Sequence, residues 1–514
     1  MFSCEPKTGI VLQAGKKWER SLSIYRRMTM RSSHFDLSIL EEEPMLGKGR
    51  KYRQSIINTM EMQDYTGILH NESISNRKSL FVSKSGRPTP KIVKGDRNSR
   101  VSLCSTTATE DWKGFLSEDC DDTVVGLSKL SIAEQDCDVT VLEKINEDRV
   151  SSARDYVLRR CNQTEALSFD ECYPDTLLKN CRKIGEGVYG EVFLYRGRDG
   201  LPRVMKIVPI AGSVKVNGEQ QKDFHEIISE IVIAMELSAL RAPIAEIDQQ
   251  LNEGKDLDAL DIHTIENATD VFNEVLAVKC VYGSYPSRLL DLWDLYDECK
   301  GSENDNPAIL PRDQQYIALE LANAGEDLES YQFNNAEQAH ALFYQVAFGL
   351  AVGEEAFQFE HRDLHWGNVL IAPTEQKWAT FVLRGRVHRV ARCGVAATII
   401  DYSLSRLSLP LADDCATLYN DLAHDDGLFD AVGDYQFEVY RLMRDKLGNE
   451  WKNFEPYTNI LWLHYTVDKM IVALRYKRTN TKVHKHFLAK LKAIRGRILD
   501  YQSVSQFLLD DNEF

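Results

Sequence analysis

The chain has 514 residues, 43% of them hydrophobic, and a formal net charge of −16, enough length for two or three domains and a full core in part of them. Its eleven cysteines form no C-x-x-C pair, which argues against a disulfide framework or a thiol metal site and points to reduced thiols in a cytosolic or nuclear protein. The start lacks the apolar core of a signal peptide, and no run of 18 apolar residues is present for a membrane span.

Charge and pattern change along the chain. Residues 1–100 carry 19 Lys and Arg against 10 Asp and Glu, residues 101–150 carry 4 against 12, and residues 151–514 carry 39 against 56. Up to about residue 165 there are only brief apolar bursts and no sustained period, so this basic and then acidic arm is expected to be disordered, burying too little surface to offset its ordering entropy. Arg26-Arg27-Met28-Thr29 and Arg77-Lys78-Ser79 resemble basophilic-kinase sites, and Thr89-Pro90-Lys91 a proline-directed one. Chance produces patterns this short readily.

From residue 166 onward periodic segments begin. Ile184-Gly185-Glu186-Gly187-Val188-Tyr189-Gly190-Glu191-Val192 has three glycines at G-x-G-x-x-G spacing, and Glu191 to Tyr195 reads as a strand followed by a turn at Arg196 to Gly200 and a second strand at Val204 to Val208. Strand-turn-strand is the setting of a phosphate-covering loop, with Val192 against an adenine ring, and not of the strand-helix dinucleotide motif. Lys206 sits within the second strand between apolar neighbours and needs an anionic partner. The helix expected over Lys222 to Leu240 offers Glu226 and Glu230, one turn apart, and charge pattern alone does not choose between them. An insertion of uncertain form follows near Ala242 to Ala268. Amphipathic helices are expected at Ala336 to Ala351 and Ile460 to Tyr476.

Between those helices lies His361-Arg362-Asp363-Leu364-His365-Trp366-Gly367-Asn368, and 33 residues after Asn368 comes Asp401, closing the apolar run Ala396 to Ile400. Phosphoryl transfer needs a carboxylate to take the acceptor proton and oxygen ligands to hold Mg²⁺ on the triphosphate. Asp363 fits the first role, and Asn368 and Asp401 the second. His361 and Arg362 read as supports of the loop, Trp366 as core. Asp401-Tyr402-Ser403 stands where Asp-Phe-Gly is usual, and no Ala-Pro-Glu follows. Without that glycine the segment loses an easy hinge, which argues against an activation loop switched by phosphorylation.

These runs, together with Val216-Asn217-Gly218, Gly283-Ser284-Tyr285-Pro286, Gly433-Asp434-Tyr435-Gln436-Phe437 and Leu461-Trp462-Leu463-His464-Tyr465, resemble the haspin family of atypical eukaryotic kinases from near Cys181 to the C-terminus. The resemblance implies an α+β, bilobal protein-kinase-like fold: a disordered 1–165, then a kinase domain over 166–514. Its β-rich lobe of five strands and one long helix would span about 175–320, with a hinge at 321–327 and a mostly helical lobe at 328–514. It implies Glu230 as the partner of Lys206, Leu321 as gatekeeper, Ala322, Asn323 and Ala324 as the adenine-binding hinge, Asp327 near the ribose, ATP and Mg²⁺ as cofactors, and a pre-formed active segment at Asp401.

The same resemblance implies a Ser/Thr kinase acting on a threonine in the basic tail of histone three, in the nucleus and on chromosomes, with the cytoplasm as a further location. Mitotic kinases acting on the N-terminal arm would be regulatory partners, and no membrane is involved. His365, Glu329, Asp425 and Asp434 match substrate-side positions, while Gly427 stands where an acidic residue is expected. The acidic stretch Asp413, Asp414, Asp421, Asp425, Asp426, Asp430 and Asp434 suits a basic peptide. A pseudokinase that binds partners without turnover and a small-molecule kinase are the alternatives.

Overall fold

The computed structural model describes residues 152–510 apart from 258–259, 261, 263 and 411–414, all within one structural unit. The expected disorder of 1–151 and the three short phosphorylation-like motifs lie outside the described residues, as do Asp413 and Asp414. The chain enters through α1 (Ala153–Arg160), β1 (Leu167–Ser168) and α2 (Phe169–Cys172), then forms β2 (Arg182–Gly187), β3 (Gly190–Arg196) and β4 (Pro202–Ile210). Helices α3 (Phe224–Ala239) and α4 (Ala242–Asn252), strands β5 (Ala268–Thr269) and β6 (Val275–Tyr282), α5 (Ser287–Lys300) and β7 (Gln315–Ala322) follow. The sheet runs β1-β6-β7-β4-β3-β2. The five strands expected are joined by a sixth, because β1 adds parallel to the edge of β6.

Register decides which side chains share a face. Val192 lies opposite Lys206, which lies opposite Leu319, so by the period of two Val192, Val204, Lys206, Leu319 and Leu321 occupy one face. Phe193, Met205 and Ile207 fall on the other face and are fully buried. Helix α3 buries Ile227, Ile228, Ile231 and Met235, the spacing read from the sequence.

The second lobe starts with β8 (Glu326–Asp327) and the 22-residue α6 (Ala336–Phe357), buried on nearly all sides. It continues through β9 (Val369–Pro373), β10 (Trp378–Leu383), β11 (Arg386–Ala391), β12 (Val395–Ile399), β13 (Leu407–Pro410) and β14 (Cys415–Leu418) to α7 (Asp426–Asp430), α8 (Tyr435–Leu447), α9 (Tyr457–Val472), α10 (Lys482–Arg497) and α11 (Val504–Asp510). A mostly helical lobe therefore also carries three small sheets, β11-β10-β5, β12-β9-β8 and β13-β14. The insertion of uncertain form is α4 with β5. Strand β5 pairs with β10, and Ile244 and Ile247 of α4 pack against Val382 of β10. Strands this short take their stability from partners far along the chain, so their period is weak in sequence.

The expected boundary at 165/166 is corrected by α1. Ser152 caps this helix, Tyr156, Val157 and Leu158 enter the main core, and Arg160 pairs with Glu236 of α3 at 3.2 Å. The Gln163 amide then bonds both main-chain groups of Cys280, each at 2.8 Å. An eight-residue helix has too little propensity to stand alone, and packing makes this one. Among the described residues no helix is long and apolar enough to cross a membrane, and Cys161, Cys172, Cys181, Cys280, Cys299 and Cys393 are free thiols.

The C-terminal helix is tied to the centre through one buried carboxylate. Glu354 of α6 accepts from Asn459 Nδ2 at 3.1 Å and from the main-chain N–H of Ser505 at 3.1 Å, joining α6, α9 and α11. Burial pushes its pKa up to about 7 against these donors.

A chain beginning at residue 166 is expected to be less stable than one beginning at 152 by at least about 3 kcal/mol in urea denaturation, since three apolar side chains leave the core. A second expectation concerns pH. With a folded pKa raised to about 7, native Glu354 holds a proton that the unfolded chain releases, so its contribution is full below about pH 4.5 and declines as pH rises to 7. Melting curves from pH 5 to 8 should therefore fall less steeply in Glu354→Gln than in the parent.

Candidate active site

Lys206 on β4 needs anionic company because it lies within the sheet facing the cleft between the lobes. Its ammonium is 2.7 Å from Glu230 Oε1 and 3.6 Å from Asp401 Oδ2. Burial works against the charge, but Asp401 and Glu230 outweigh it and raise the Lys206 pKa. Glu230 is also 3.3 Å from Lys222. The choice that charge pattern left open, and that the resemblance gave to Glu230, has its reason in helix geometry: Glu226 closes a capping box, its Oε2 accepting from Asp223 N at 2.7 Å, while Glu230 turns inward one turn later.

The loop carrying Asp363 is built on a buried ion pair. Arg362 and Glu360 have no exposed surface. The guanidinium donates to Glu360 Oε2 at 3.1 Å and Oε1 at 2.9 Å and also to the Trp451 and Asn453 carbonyls. Glu360 in turn accepts from Thr458 Oγ at 2.7 Å. With these bonds the loop tolerates Arg362 at φ 63°, a left-handed conformation that is costly for a large residue. His361 Nδ1 accepts from Asp363 N at 3.3 Å, so Nε2 carries the hydrogen and donates to the Ile400 carbonyl at 3.0 Å. Burial lowers the pKa of His361 to about 4, and it is a neutral strut.

One oxygen of Asp363, Oδ1, accepts a short hydrogen bond from Tyr440 Oη on α8. Sequence reading missed Tyr440, which lies 77 residues away in an amphipathic stretch where an aromatic residue signals only core. Asn368 Nδ2 donates to the Asp363 carbonyl at 2.9 Å, which leaves the amide oxygen as the donor atom for a cation. Asp401 stands at φ 62° and accepts from Ser403 N at 3.2 Å. Although burial opposes it, Lys206 holds the Asp401 pKa well below the carboxylate range. An ionised carboxylate and an amide oxygen suit a hard divalent cation whose remaining ligands are phosphates and water. Beneath them Tyr402 donates to the Ile399 carbonyl at 2.8 Å and accepts from Asn273 N at 3.2 Å, its ring among Phe272, Phe359 and His361. Tyr402 is thereby pinned at both faces of its hydroxyl.

The nucleotide side is formed by the glycine-rich turn between β2 and β3 and by β7. A Cβ on Gly190 would lie 2.0 Å from the Ile207 carbonyl oxygen, so only glycine lets β3 lie this close to β4. Ile184 is exposed, and Val192 and Leu321 are half-buried, on the cleft-side surfaces. Nothing lies within 4 Å of the Cβ that Gly185 lacks, and only Gly190 O at 3.9 Å near that of Gly187. At the expected hinge, Ala322 donates to the Glu274 carbonyl at 3.0 Å, Asn323 is exposed and Ala324 buried. Asp327 accepts from Ser330 N at 2.7 Å and closes the following turn. Glu186, within the glycine-rich run expected at the nucleotide, engages its side chain elsewhere. Its carboxylate turns away to pair with buried Lys183 and to accept from Ser302 Oγ at 2.7 Å and Glu303 N at 2.8 Å, which leaves only its main chain for phosphate.

With this geometry in place, comparison with known proteins decides the family. The family model described as "Haspin like kinase domain" matches residues 91–505. The chain belongs to this family. It is 40% identical over 355 residues to the serine/threonine-protein kinase haspin homolog of Drosophila melanogaster, covering 68% of this chain and 58% of that one. It is 34% identical over 421 residues to the serine/threonine-protein kinase haspin of Mus musculus, covering 80% and 52%. To the homolog of Arabidopsis thaliana it is 34% identical over 360 residues, covering 69% and 54%. The chain thus spans about half the length of the curated relatives it matches.

On the substrate side of this haspin-like domain the expected acidic residues part company. Glu329 is half-buried, and burial, with Asp327 adding to it, raises its pKa to about 7. Asp425 is an N-cap, accepting from Leu428 N at 3.2 Å. Asp434 has internal partners: one oxygen caps α8 through Gln436 N at 3.0 Å and the other is paired with Lys469. That ammonium sits 4.4 Å from the Trp366 ring centroid and 5.2 Å from that of Tyr465, so an internal cation already neutralises Asp434. His365 accepts from Gly367 N at 3.0 Å, with Nε2 4.0 Å from Asp363 Oδ1.

Tyr440→Phe keeps the buried ring and removes one charge-assisted bond to Asp363, worth about 1.5–3 kcal/mol. Steady-state kinetics should show kcat down roughly 10- to 100-fold with the KM for nucleotide unchanged.

Proposed function

We propose that this chain is an active haspin-type Ser/Thr protein kinase. It transfers the γ-phosphoryl of ATP to a threonine in a basic peptide, and the tail of histone three in mitotic chromatin is the substrate that the family resemblance implies. One observation carries the catalytic reading: Lys206, paired with Glu230, faces Asp401 across the cleft, and His361 ties the loop that holds Asp363 and Asn368 to the Ile400 carbonyl next to Asp401. These are the parts of phosphoryl transfer, and none is broken as a pseudokinase would require.

In this reading Lys206 neutralises charge on the phosphates, and main-chain amides between Gly185 and Gly190 cover them. Asp363, held by Tyr440, orients the acceptor hydroxyl and takes its proton as the new O–P bond forms and ADP leaves. A divalent cation, Mg²⁺ by the hardness of its oxygen ligands, would be held by Asn368 and Asp401 and would screen the phosphate charge. The ionised state of Asp401 is maintained by Lys206.

A basic peptide is supported by the acidic balance of residues 151–514 and by Glu329 beside Asp327. An incoming Arg or Lys would draw Glu329 to its ionised form. With Asp434 neutralised inside the fold and Gly427 in place of an acid, selection rests on fewer carboxylates than the sequence suggests. Nuclear and chromosomal placement, and control by mitotic kinases acting on the N-terminal arm, are proposed on the same family resemblance.

The test is phosphorylation of a histone-tail peptide library. The parent is expected to modify a threonine flanked by basic residues and Asp363→Asn to be reduced at least about 1,000-fold. Glu329→Gln should raise the peptide KM, and the parent's peptide KM should fall from pH 6 to 8 as Glu329 ionises, a trend the variant lacks. Equal activity of Asp363→Asn and parent would remove the catalytic assignment, and a preference for acidic peptides would remove the substrate class.

A further inference from the structure

The run Val216-Asn217-Gly218 and the segment following α5 take no part in the chemistry described above, yet both reach the glycine-rich turn. Asn217 is 1% exposed and stands at φ 59°, a left-handed conformation that asparagine tolerates. Its Nδ2 donates to the Val188 carbonyl at 2.7 Å and to Asn304 Oδ1 at 2.9 Å. Asn304 Nδ2 lies 3.1 Å from the Gly187 carbonyl, 3.3 Å from that of Gly190 and 2.9 Å from Glu191 Oε1. Carbonyl and carboxylate oxygens only accept, so these partners dictate the orientation of both amides.

The two asparagines are themselves held. Asn217 N donates to Asp305 Oδ2 at 2.7 Å, and Asp305 N donates back to Asn217 Oδ1 at 2.6 Å. Three carbonyls within four residues of the glycine-rich turn are therefore fixed from behind by two side-chain amides. This uses protein atoms alone, whereas the glycine loop of a kinase ordinarily closes when substrate arrives.

We propose that Asn217 and Asn304 form a clamp that holds the glycine-rich turn in its nucleotide-receiving shape, making them positioning residues for a nucleoside triphosphate; this rests on the reading of the cleft as an ATP site. Bonds to the carbonyls fix the peptide planes of the turn and with them the directions of its N–H groups. The ordering entropy of the turn is then settled on folding rather than on binding, and the fraction of chains competent to bind stays high.

The experiment pairs two readouts on the full chain: hydrogen–deuterium exchange over residues 184–192 without nucleotide, and steady-state kinetics with ATP and a peptide. Asn304→Ala should speed exchange in that segment and raise the ATP KM about tenfold, the equivalent of one to two net hydrogen bonds, while kcat changes less than about threefold because bound phosphates re-order the turn. Asn217→Ala should do the same. Should it fail to fold, Asn304→Asp at a half-exposed position turns donors into acceptors facing carbonyls and should give a larger KM effect, with a retained cooperative melting transition, lowered in Tm, showing that the fold is intact. Unchanged exchange would show that no clamp exists, and faster exchange with an unchanged ATP KM would show that it does not serve nucleotide. Either result overturns the proposal. A parent that neither binds nor consumes ATP would instead sink the kinase reading, and the exchange data would still report on the clamp.

Discussion

A single ammonium, Lys206 Nζ, ties together the parts on which the site depends. A cation within a sheet is costly unless oxygens of opposite charge surround it, and here they come from two different elements, Glu230 on α3 and Asp401 in the other lobe. Removing one partner of such a part-buried group is destabilising, because the remaining charge is left less compensated. The position of α3 and the relation between lobes are thus constrained by electrostatics as well as packing. α1 reinforces this from outside, since Arg160 pairs with Glu236 on the same helix. The active-like arrangement of α3 is built into the fold by contacts on two of its sides.

The catalytic loop is rigid for a related reason. Two residues without the freedom of glycine, Arg362 and Asp401, stand in the left-handed region at φ 63° and 62°, each at a cost of about 1–2 kcal/mol. The bonds from Arg362 to Glu360, Trp451 and Asn453 and those anchoring Tyr402 beneath Asp401 offset that strain. Tyr402 takes the place of a movable Phe next to glycine, but its hydroxyl is engaged as both donor and acceptor. A segment so anchored has no cheap second position, which fits the loss of a glycine hinge noted in the sequence.

Net charge and local charge diverge on the substrate side. Residues 151–514 are strongly acidic, yet the carboxylates near the cleft are unequal: Asp434 is neutralised by Lys469, Asp425 and Asp327 cap turns, and Glu329 is the one whose burial raises its pKa to about 7. An acidic excess acts on charged partners from a distance, while the geometry of a few oxygens governs what a site can hold.

The sequence by itself determined the two-lobed α+β fold, the strand holding Lys206, the inward face of α3, and the roles available to Asp363, Asn368 and Asp401. The strand, the helix face and the spacing of the loop follow from short-range facts, a period of two or 3.6, glycines that permit a turn and a fixed spacing between chemical groups, and the two-lobed fold from the family resemblance that those motifs carry. Only the tertiary structure decided that Glu186 and Asp434 are turned to internal partners, that α1 belongs to the core, that Tyr440 bonds Asp363, and that Asn217 and Asn304 bond the glycine-rich turn. Apart from the Lys183–Glu186 pair and the Asp434 cap on Gln436, these contacts join segments from 29 to 117 positions apart. Nothing in the local pattern of a tyrosine or an asparagine distinguishes a residue that is merely buried or turn-forming from one whose hydrogen bond lands on the Asp363 carboxylate or on the carbonyls of the glycine-rich turn. Register and packing, set by the whole chain, make that distinction.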